Sequence, residues 1–500
     1  MRKGQPVCVA ETSKASVELD APGAGTIVRL YEQGAEVELG KTIALIAESA
    51  EEVDEAVRRR SDRGAPKPAA SAPRHATAKS VELAEQHGVD LDSIDKAGFI
   101  TAQDVEAVVA SRDATPGETV DRGVLAGVST AGVTLPETVA HAGDDAGRLD
   151  PGFLAGLRRD PAAHGALQSA DKVAAYRDAG AVIGEGVVLG AGVVVDAERL
   201  VLADGVTIGD HSSIRCEEVF AAGALTLLGE GLQLRCRRAF LGSNIWSDRA
   251  IRIGGGGSGD PWATLVVGDL AYLGAEAFVN VCRPVVIGRE VFVTQRSMLL
   301  THNVGHSVLE GFENRFAPVV LEDRAQVGLG AVVYAGCRVG RDAIVASNSY
   351  VVSDIPAGKL AIGVPARVTG PSSHPPSPAR RVEIARRMFD ELYELLVLRE
   401  HDVVRTDAST FEVRASGATS VVTLVERVAT GYRPPDADGE TVVLTLDLAG
   451  DAPNGCAVLD LVARRVYGDS GVVLDSVREF CRKRGIRFEP GPWRYSGGLV

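Results

Sequence analysis

Between Gly180 and Arg367, aliphatic residues recur every six positions. The cleanest run is Leu321, Val327, Val333, Val339, Val345 and Val351. Earlier hexads show at Ile183/Leu189/Val195, Ile208/Ile214 and Ile287/Val293/Leu299. A helix spaces apolar residues 3.6 apart and a half-buried strand alternates them, so neither accommodates strict sixes. A solenoid of three-sided coils does, because each hexad forms one flat side with its aliphatic pointing inward. Small or acidic residues follow the aliphatics, as in Val327-Gly328-Leu329-Gly330-Ala331 and Val339-Gly340-Arg341-Asp342-Ala343. They suit corners too tight for a bulky substituent. The expected core is a left-handed parallel β-helix within a multidomain, mainly β chain.

The period breaks once, between Leu299 and Leu321, where THNVGHSVLEGFENRFAP (Thr301 to Pro318) replaces the hexads. Stacked coils must expel such a stretch as a surface loop, and surface loops commonly carry function. This one holds His302 and His306. An imidazole is largely neutral and basic near pH 7, so it can take the proton of a hydroxyl or amine as that group attacks a thioester. The stretch from Leu273 to Val368 resembles the hexapeptide-repeat acyltransferases that O-acetylate maltose, galactosides and polysaccharides. The resemblance rests on Phe278-Val279-Asn280, on Leu300-Thr301-His302 and on the closing DIPAGKLAIGVPARV, Asp354 to Val368. It implies His302 as general base, Asn280 as a residue holding the acceptor, and Gly330, Ser347 and Arg367 as contacts for acetyl-CoA or another acyl-CoA. It also implies a homotrimer with active sites between subunits. Gln326 stands where relatives usually carry an aromatic near the thioester donor. His306 reads as structural. The γ-class carbonic anhydrases share this solenoid and bind zinc through three histidines. Here His302 and His306 sit in one loop and His211 lies coils earlier, so no metal site is expected.

A second signal lies at the N-terminus. Glu11-Thr12-Ser13-Lys14-Ala15, followed by Val17-Glu18-Leu19-Asp20-Ala21-Pro22-Gly23, resembles the lipoyl-attachment hairpin of 2-oxo acid dehydrogenase acyltransferase components. The resemblance implies covalent lipoate on Lys14; biotin domains show Met on both sides of the lysine. Gly4-Gln5-Pro6-Val7 echoes Gly40-Lys41-Thr42-Ile43, as two similar halves of a flattened barrel would. The barrel's first strands are missing before Met1, and a start assigned too late is the expected reason. HGVDLDSI…ITAQDVEAV resembles the peripheral subunit-binding domain of the same complexes, with a shortened glycine-rich loop and without the arginine that holds the partner.

The expected organisation is a partial lipoyl domain (1–49), a linker (50–73), a subunit-binding-like helical unit (74–112), a linker with a helical lead-in (113–178), the β-helix (179–370), a second linker (371–382) and an α+β unit (383–500). Treated as coil, the first linker spans roughly 25–30 Å root-mean-square. A net charge of −14 argues against nucleic acid. No stretch is apolar enough for a bilayer, and seven scattered cysteines read as free thiols in a cytoplasmic protein. Together the modules point to an acyltransferase acting on a small molecule or saccharide. Its acyl group would come from lipoyl-Lys14, loaded by a thiamine-dependent 2-oxo acid decarboxylase, or from CoA. Two alternatives stand: an ordinary acetyl-CoA-dependent O-acetyltransferase with passenger N-terminal modules, and a non-enzymatic lipoyl carrier scaffold.

Overall fold

In the computed structural model of the chain, Leu321, Val327, Val333, Val339, Val345 and Val351 are all fully buried, as are Ile287, Val293 and Leu299. The strands that carry them stack coil upon coil in parallel register, for example Val293 beside Val327 and Val327 beside Val345. The rungs sort into three faces. The first face runs from Val188–Leu189 through Thr207–Ile208, Trp246–Ser247, Phe292–Val293 and Gln326–Val327 to Lys359–Gly363. The second begins with the leading halves of Val194–Leu202, Ser213–Ala222 and Gln233–Leu241, and continues through Arg252–Gly254, Phe278–Asn280 and Met298–Leu299 to Tyr350–Val351. The trailing halves of those three long strands start the third face, which goes on through Thr264–Val267, Val285–Ile287 and Val319–Leu321 to Arg338–Val339. This is a three-sided parallel β-helix, mainly β as the period demands.

The residues described are 6–11, 16–21, 23–29, 44–47, 49, 52–53, 80, 84, 105, 125, 127–415, 417–469, 471–489, 491 and 499. Lys14, and nearly all of the expected linker 50–73 and helical unit 74–112, lie outside them.

The corners refine the sequence reading. A Cβ built on Gly328 would lie 2.5 Å from the Ser347 nitrogen, and one on Gly274 would lie 2.5 Å from the Gln295 nitrogen. Smallness is therefore required where one coil's corner rests on the next coil's backbone. Two residues further on, the chain turns through left-handed φ, and there Glu276 (φ 61°), Glu290 (φ 55°) and Arg296 (φ 57°) are accommodated as well as glycine.

The N-terminal end of the solenoid is capped by three short helices, α1 (Pro151–Arg159), α2 (Pro161–Gly165) and α3 (Ser169–Asp178). Asp150 caps α1 by accepting from the Phe153 nitrogen at 2.8 Å. Tyr176, fully buried, accepts from the Val195 N–H at 2.8 Å and donates to the Val195 carbonyl at 2.9 Å, pinning α3 to the first coil. Burial pushes its phenol well above the ordinary value.

Residues 127–148, expected as linker, are instead a strap across the third face. That face is apolar on its outer side too: Val201, Val219, Ala221, Phe240, Val266, Val286 and Val320 form one cluster with Leu125 and Val139. An exposed row of this kind is an association hazard, and the strap covers it. Thr134 fixes it by donating to Asp323 from both its backbone N–H (2.8 Å) and its hydroxyl (2.7 Å), and Arg338 donates to the Ser129 carbonyl at 3.0 Å.

After the solenoid, α4 (Pro378–Leu398) is followed by a six-stranded sheet in chain order from Val403–Asp407 to Arg465–Tyr467, and by α5 (Val472–Arg482). Phe389, Phe411, Leu459, Phe480 and Phe488 fill its core. This unit sits against the solenoid at the corner between the third and first faces. Glu290, only 5% exposed, receives both arms of Arg464 at 2.7 and 3.1 Å, and Arg487 lies over the Phe292 ring. A buried carboxylate of this kind is tolerated because it is paired.

In the N-terminal unit, Pro6–Glu11 pairs antiparallel with Ser16–Asp20, and Thr26–Arg29 with Ala44–Ala47. No helix among the described residues is long and apolar enough to cross a membrane.

Candidate active site

The hexads break twice, not once. Besides Thr301–Pro318, a glycine-rich excursion, Gly255-Gly256-Gly257-Ser258-Gly259-Asp260-Pro261-Trp262-Ala263, leaves between the rungs Arg252–Gly254 and Thr264–Val267. Both excursions depart at the edge between the second and third faces. The run of glycines after Ile253 and the isolated Trp262 were the signal available in the sequence.

Asn280 lies between the two excursions, in register with Gly254 and 3% exposed. Its Nδ2 donates to the carbonyls of Gly254 (3.0 Å) and Gly256 (3.1 Å). With both N–H groups spent on carbonyls, the amide orientation is fixed, and Oδ1 faces His302 Nδ1 at 2.8 Å and the Thr301 hydroxyl. An amide oxygen only accepts, so Nδ1 of His302 carries a proton, and of the two neutral tautomers this contact selects the one whose lone pair is on Nε2. Sequence reasoning assigned Asn280 to the acceptor; here all its polar positions are occupied by protein groups.

Nε2 is turned toward the glycine excursion, where a Cβ added to Gly256 would lie 3.4 Å away. The absence of a side chain at Gly256 keeps the space beside the lone pair open. His302 is also held from behind: its ring stacks on Phe316 (5.7 Å between centroids, 12° between planes), and His302–Asn303 pairs antiparallel with Arg315–Phe316, which zips the two ends of the loop together. Arg283 lies between the rings of Trp262 (4.2 Å) and Phe316 (5.0 Å), and bonds Asp260 at 3.2 Å. Burial and the neighbouring Asp260 carboxylate push the Cys282 thiol up, which disfavours it as a nucleophile. His306 is exposed and packs on Phe312 within the loop.

A groove of about 640 Å³ runs along the second face toward this edge, walled by Leu157 and Arg158 of α1 and ending at Gly254, Gly255 and Phe278. Gly330 (φ 67°) and Ser347 lie on a different edge, between the first and second faces, where Gly330 rests beside Asn348, and Arg367 is exposed in the terminal hairpin Lys359–Gly363/Ala366–Pro371. Among the described residues no group of three His, Cys, Asp or Glu is placed to hold a metal ion.

Comparison with known proteins adds two independent likenesses. Residues 1–46 match the biotin/lipoyl family described as biotin-requiring enzyme. A stretch of 75 residues is 36% identical to the 2,3,4,5-tetrahydropyridine-2,6-dicarboxylate N-acetyltransferase of Staphylococcus aureus strain JH9, covering 15% of this chain and 31% of that enzyme. The chain joins a biotin/lipoyl-type segment to a stretch similar to an N-acetyltransferase. The enzyme of strain JH1 matches to the same extent, so the chain spans about a third of the length of these curated relatives. Among solved structures, the polySia-specific acetyltransferase NeuO is 15% identical, with a TM-score of 0.25 over 39% of this chain and 81% of that one. A hexapeptide-repeat acetyltransferase from Vibrio cholerae, complexed with acetyl coenzyme A, is 16% identical, with a TM-score of 0.21 over 45% of this chain and 87% of that one.

Proposed function

We propose that the chain is a hexapeptide-repeat acyltransferase that moves an acyl group from a thioester to an amine or hydroxyl, with His302 as general base. The observation that carries this reading is the Asn280 amide. Locked by two carbonyls, it holds His302 in the one neutral tautomer whose Nε2 is free, and aims it at open space beside Gly256. In the reaction, the acceptor nitrogen or oxygen attacks the thioester carbonyl while Nε2 takes its proton. The C–S bond then breaks, and the proton returns to the departing thiolate. A positioned base of this kind is worth about 10²–10⁴-fold in rate. Asn280 acts here as a positioning residue.

The donor is acyl-CoA or an acyl-lipoyl arm on Lys14. The biotin/lipoyl match over residues 1–46 supports an arm, and Thr12-Ser13-Lys14-Ala15 favours lipoate over biotin. A thiamine-dependent 2-oxo acid decarboxylase would load it. A tethered donor works at about millimolar effective concentration, which fits the loss of an aromatic at Gln326. Under the CoA reading, Gly330, Ser347 and Arg367 serve the nucleotide end. The N-acetyltransferase likeness favours an acetyl group and an amine acceptor. We place the enzyme in the cytosol as a homotrimer; a reducing compartment suits Cys216, Cys236, Cys282, Cys337, Cys456 and Cys481, all of them free thiols.

Full-length protein is treated with lipoate ligase and weighed, then offered acetyl-CoA or acetyl-dihydrolipoyl protein with a panel of amino-dicarboxylates and amino sugars, beside His302→Ala. One lipoyl addition lost in Lys14→Arg, and transfer lost in His302→Ala, support the proposal. Unchanged transfer by His302→Ala removes the base assignment. Turnover by acetyl-CoA alone reduces the N-terminal modules to passengers, and no turnover with either donor leaves a carrier scaffold.

A further inference from the structure

Along the second face, one outward column reads Asp196, Arg215, Arg235, Gly254, Asn280 on successive coils. Successive rungs are about 4.8 Å apart, so Arg235 stands about 10 Å from Asn280, with only a glycine between them. A Cβ on Gly254 would lie 3.4 Å from the Arg235 Cβ, so no side chain at 254 crowds the space beside Arg235 on the side that faces Asn280. In the neighbouring column Arg252 lies between Gln233 and Phe278.

The charges of this groove do not cancel. Asp196, 6% exposed, is held by Arg158 at 2.8 Å and Arg215 at 3.2 Å. Further along the strands, Glu217 and Glu218 are tied to Arg237 and Arg238. Arg235 and Arg252, both lining the groove and exposed, have neither an ion pair nor a hydrogen bond from their side chains among the described residues. Two unpaired guanidinium groups thus line a cavity of about 640 Å³ in a chain whose net charge is −14. Free guanidinium forks favour planar carboxylates and phosphates, which they bind through two parallel hydrogen bonds.

We infer that this groove is the acceptor subsite, and that the acceptor is an anion whose carboxylate or phosphate groups are held by Arg235 and Arg252 while its amine or hydroxyl lies at His302 Nε2. The inference rests on the acyltransferase reading above and deepens it by naming the substrate class. Coenzyme A also carries phosphates, so the test separates the two sources.

Ligand-observed NMR titrations measure glutarate, inorganic phosphate and adenosine 3′,5′-bisphosphate binding to the full-length protein, to Arg235→Gln, Arg252→Gln and the double variant, and to His302→Gln. Both arginines are exposed, so each single variant is expected to keep the wild-type melting temperature. Saturable binding of glutarate or phosphate, weakened at least tenfold in the double variant and severalfold in each single one, is the expected result. Binding should be unchanged in His302→Gln. The subsite is overturned if neither probe binds the wild type, if the arginine variants bind them equally well, or if only adenosine 3′,5′-bisphosphate depends on the two arginines. The base assignment is read separately, from transfer activity in His302→Gln, so either idea can fail alone.

Discussion

Replacing Asn280 by alanine separates a positioning residue from an acceptor ligand. The substitution removes the acceptor for His302 Nδ1, leaves the Thr301 hydroxyl only the main-chain carbonyl of residue 280 at 3.2 Å, and strips the donors from the carbonyls of Gly254 and Gly256. These groups lie around a side chain that is 3% exposed. Buried polar groups left unpaired cost about 1–3 kcal/mol each, and partial rehydration through the edge should bring the total to about 2–4 kcal/mol of stability. The kinetic consequence is more specific. Without the Asn280 oxygen the imidazole is no longer held with its proton on Nδ1, and the tautomer bearing it on Nε2 cannot act as a base toward the acceptor. We expect kcat to fall about 10²–10³-fold, within the usual worth of a general base, with the acceptor KM nearly unchanged. In Asn280→Ala/His302→Ala the two losses should not add, because the residues act as one unit. Thiol release from the donor reports turnover, and long-range ¹H–¹⁵N spectra of histidine-labelled protein report the tautomer directly. A large rise in acceptor KM at constant kcat would refute the reasoning and return Asn280 to acceptor binding. Fully additive losses would also refute it.

Other expectations follow from the packing. Gly328→Ala places a Cβ 2.5 Å from the Ser347 nitrogen; overpacking against backbone should cost about 1–3 kcal/mol, read as a lower denaturant midpoint at constant m. His164 is wedged between Phe153 and Tyr176, and its Nε2 is buried without a hydrogen bond. Burial, and secondarily Lys172, lowers its pKa in the folded state. The unfolded chain therefore takes up this proton first as pH falls below the ordinary histidine value, and stability present above that value is lost on acidification. The melting temperature should fall from pH 7.5 to 5.5 and fall less in His164→Phe; equal slopes would exclude His164 as a cause. Light scattering should give three times the monomer mass if the chain trimerises, and a monomer would remove any site shared between subunits.

Much of this was legible because a three-sided coil writes itself into the sequence. Each inward position is apolar for one reason, and Leu321 to Val351 obey it without exception. His302 was legible because an insertion into such a regular pattern has nowhere to go but outward. The strap was not, since residues 127–148 show no period of their own. Their partner did leave a trace: third-face strands such as Val285-Val286-Ile287 are apolar on both sides. The excursion at Gly255–Ala263 was obscured because glycine also marks ordinary corners here. The role of Asn280 depends on two carbonyls from a coil far back in the sequence, a contact that local spacing cannot express.

Both excursions leave from the same edge, while the rungs before and after them keep their register: Phe278 beside Met298, and Val285 beside Val319. That edge behaves as a splice point, at which chain length changes without disturbing the frame on either side. Variants with grafted segments between Gly254 and Thr264 should therefore fold on an unaltered scaffold. The chemistry at the mouth of the groove can then diversify independently of the coil that supports it.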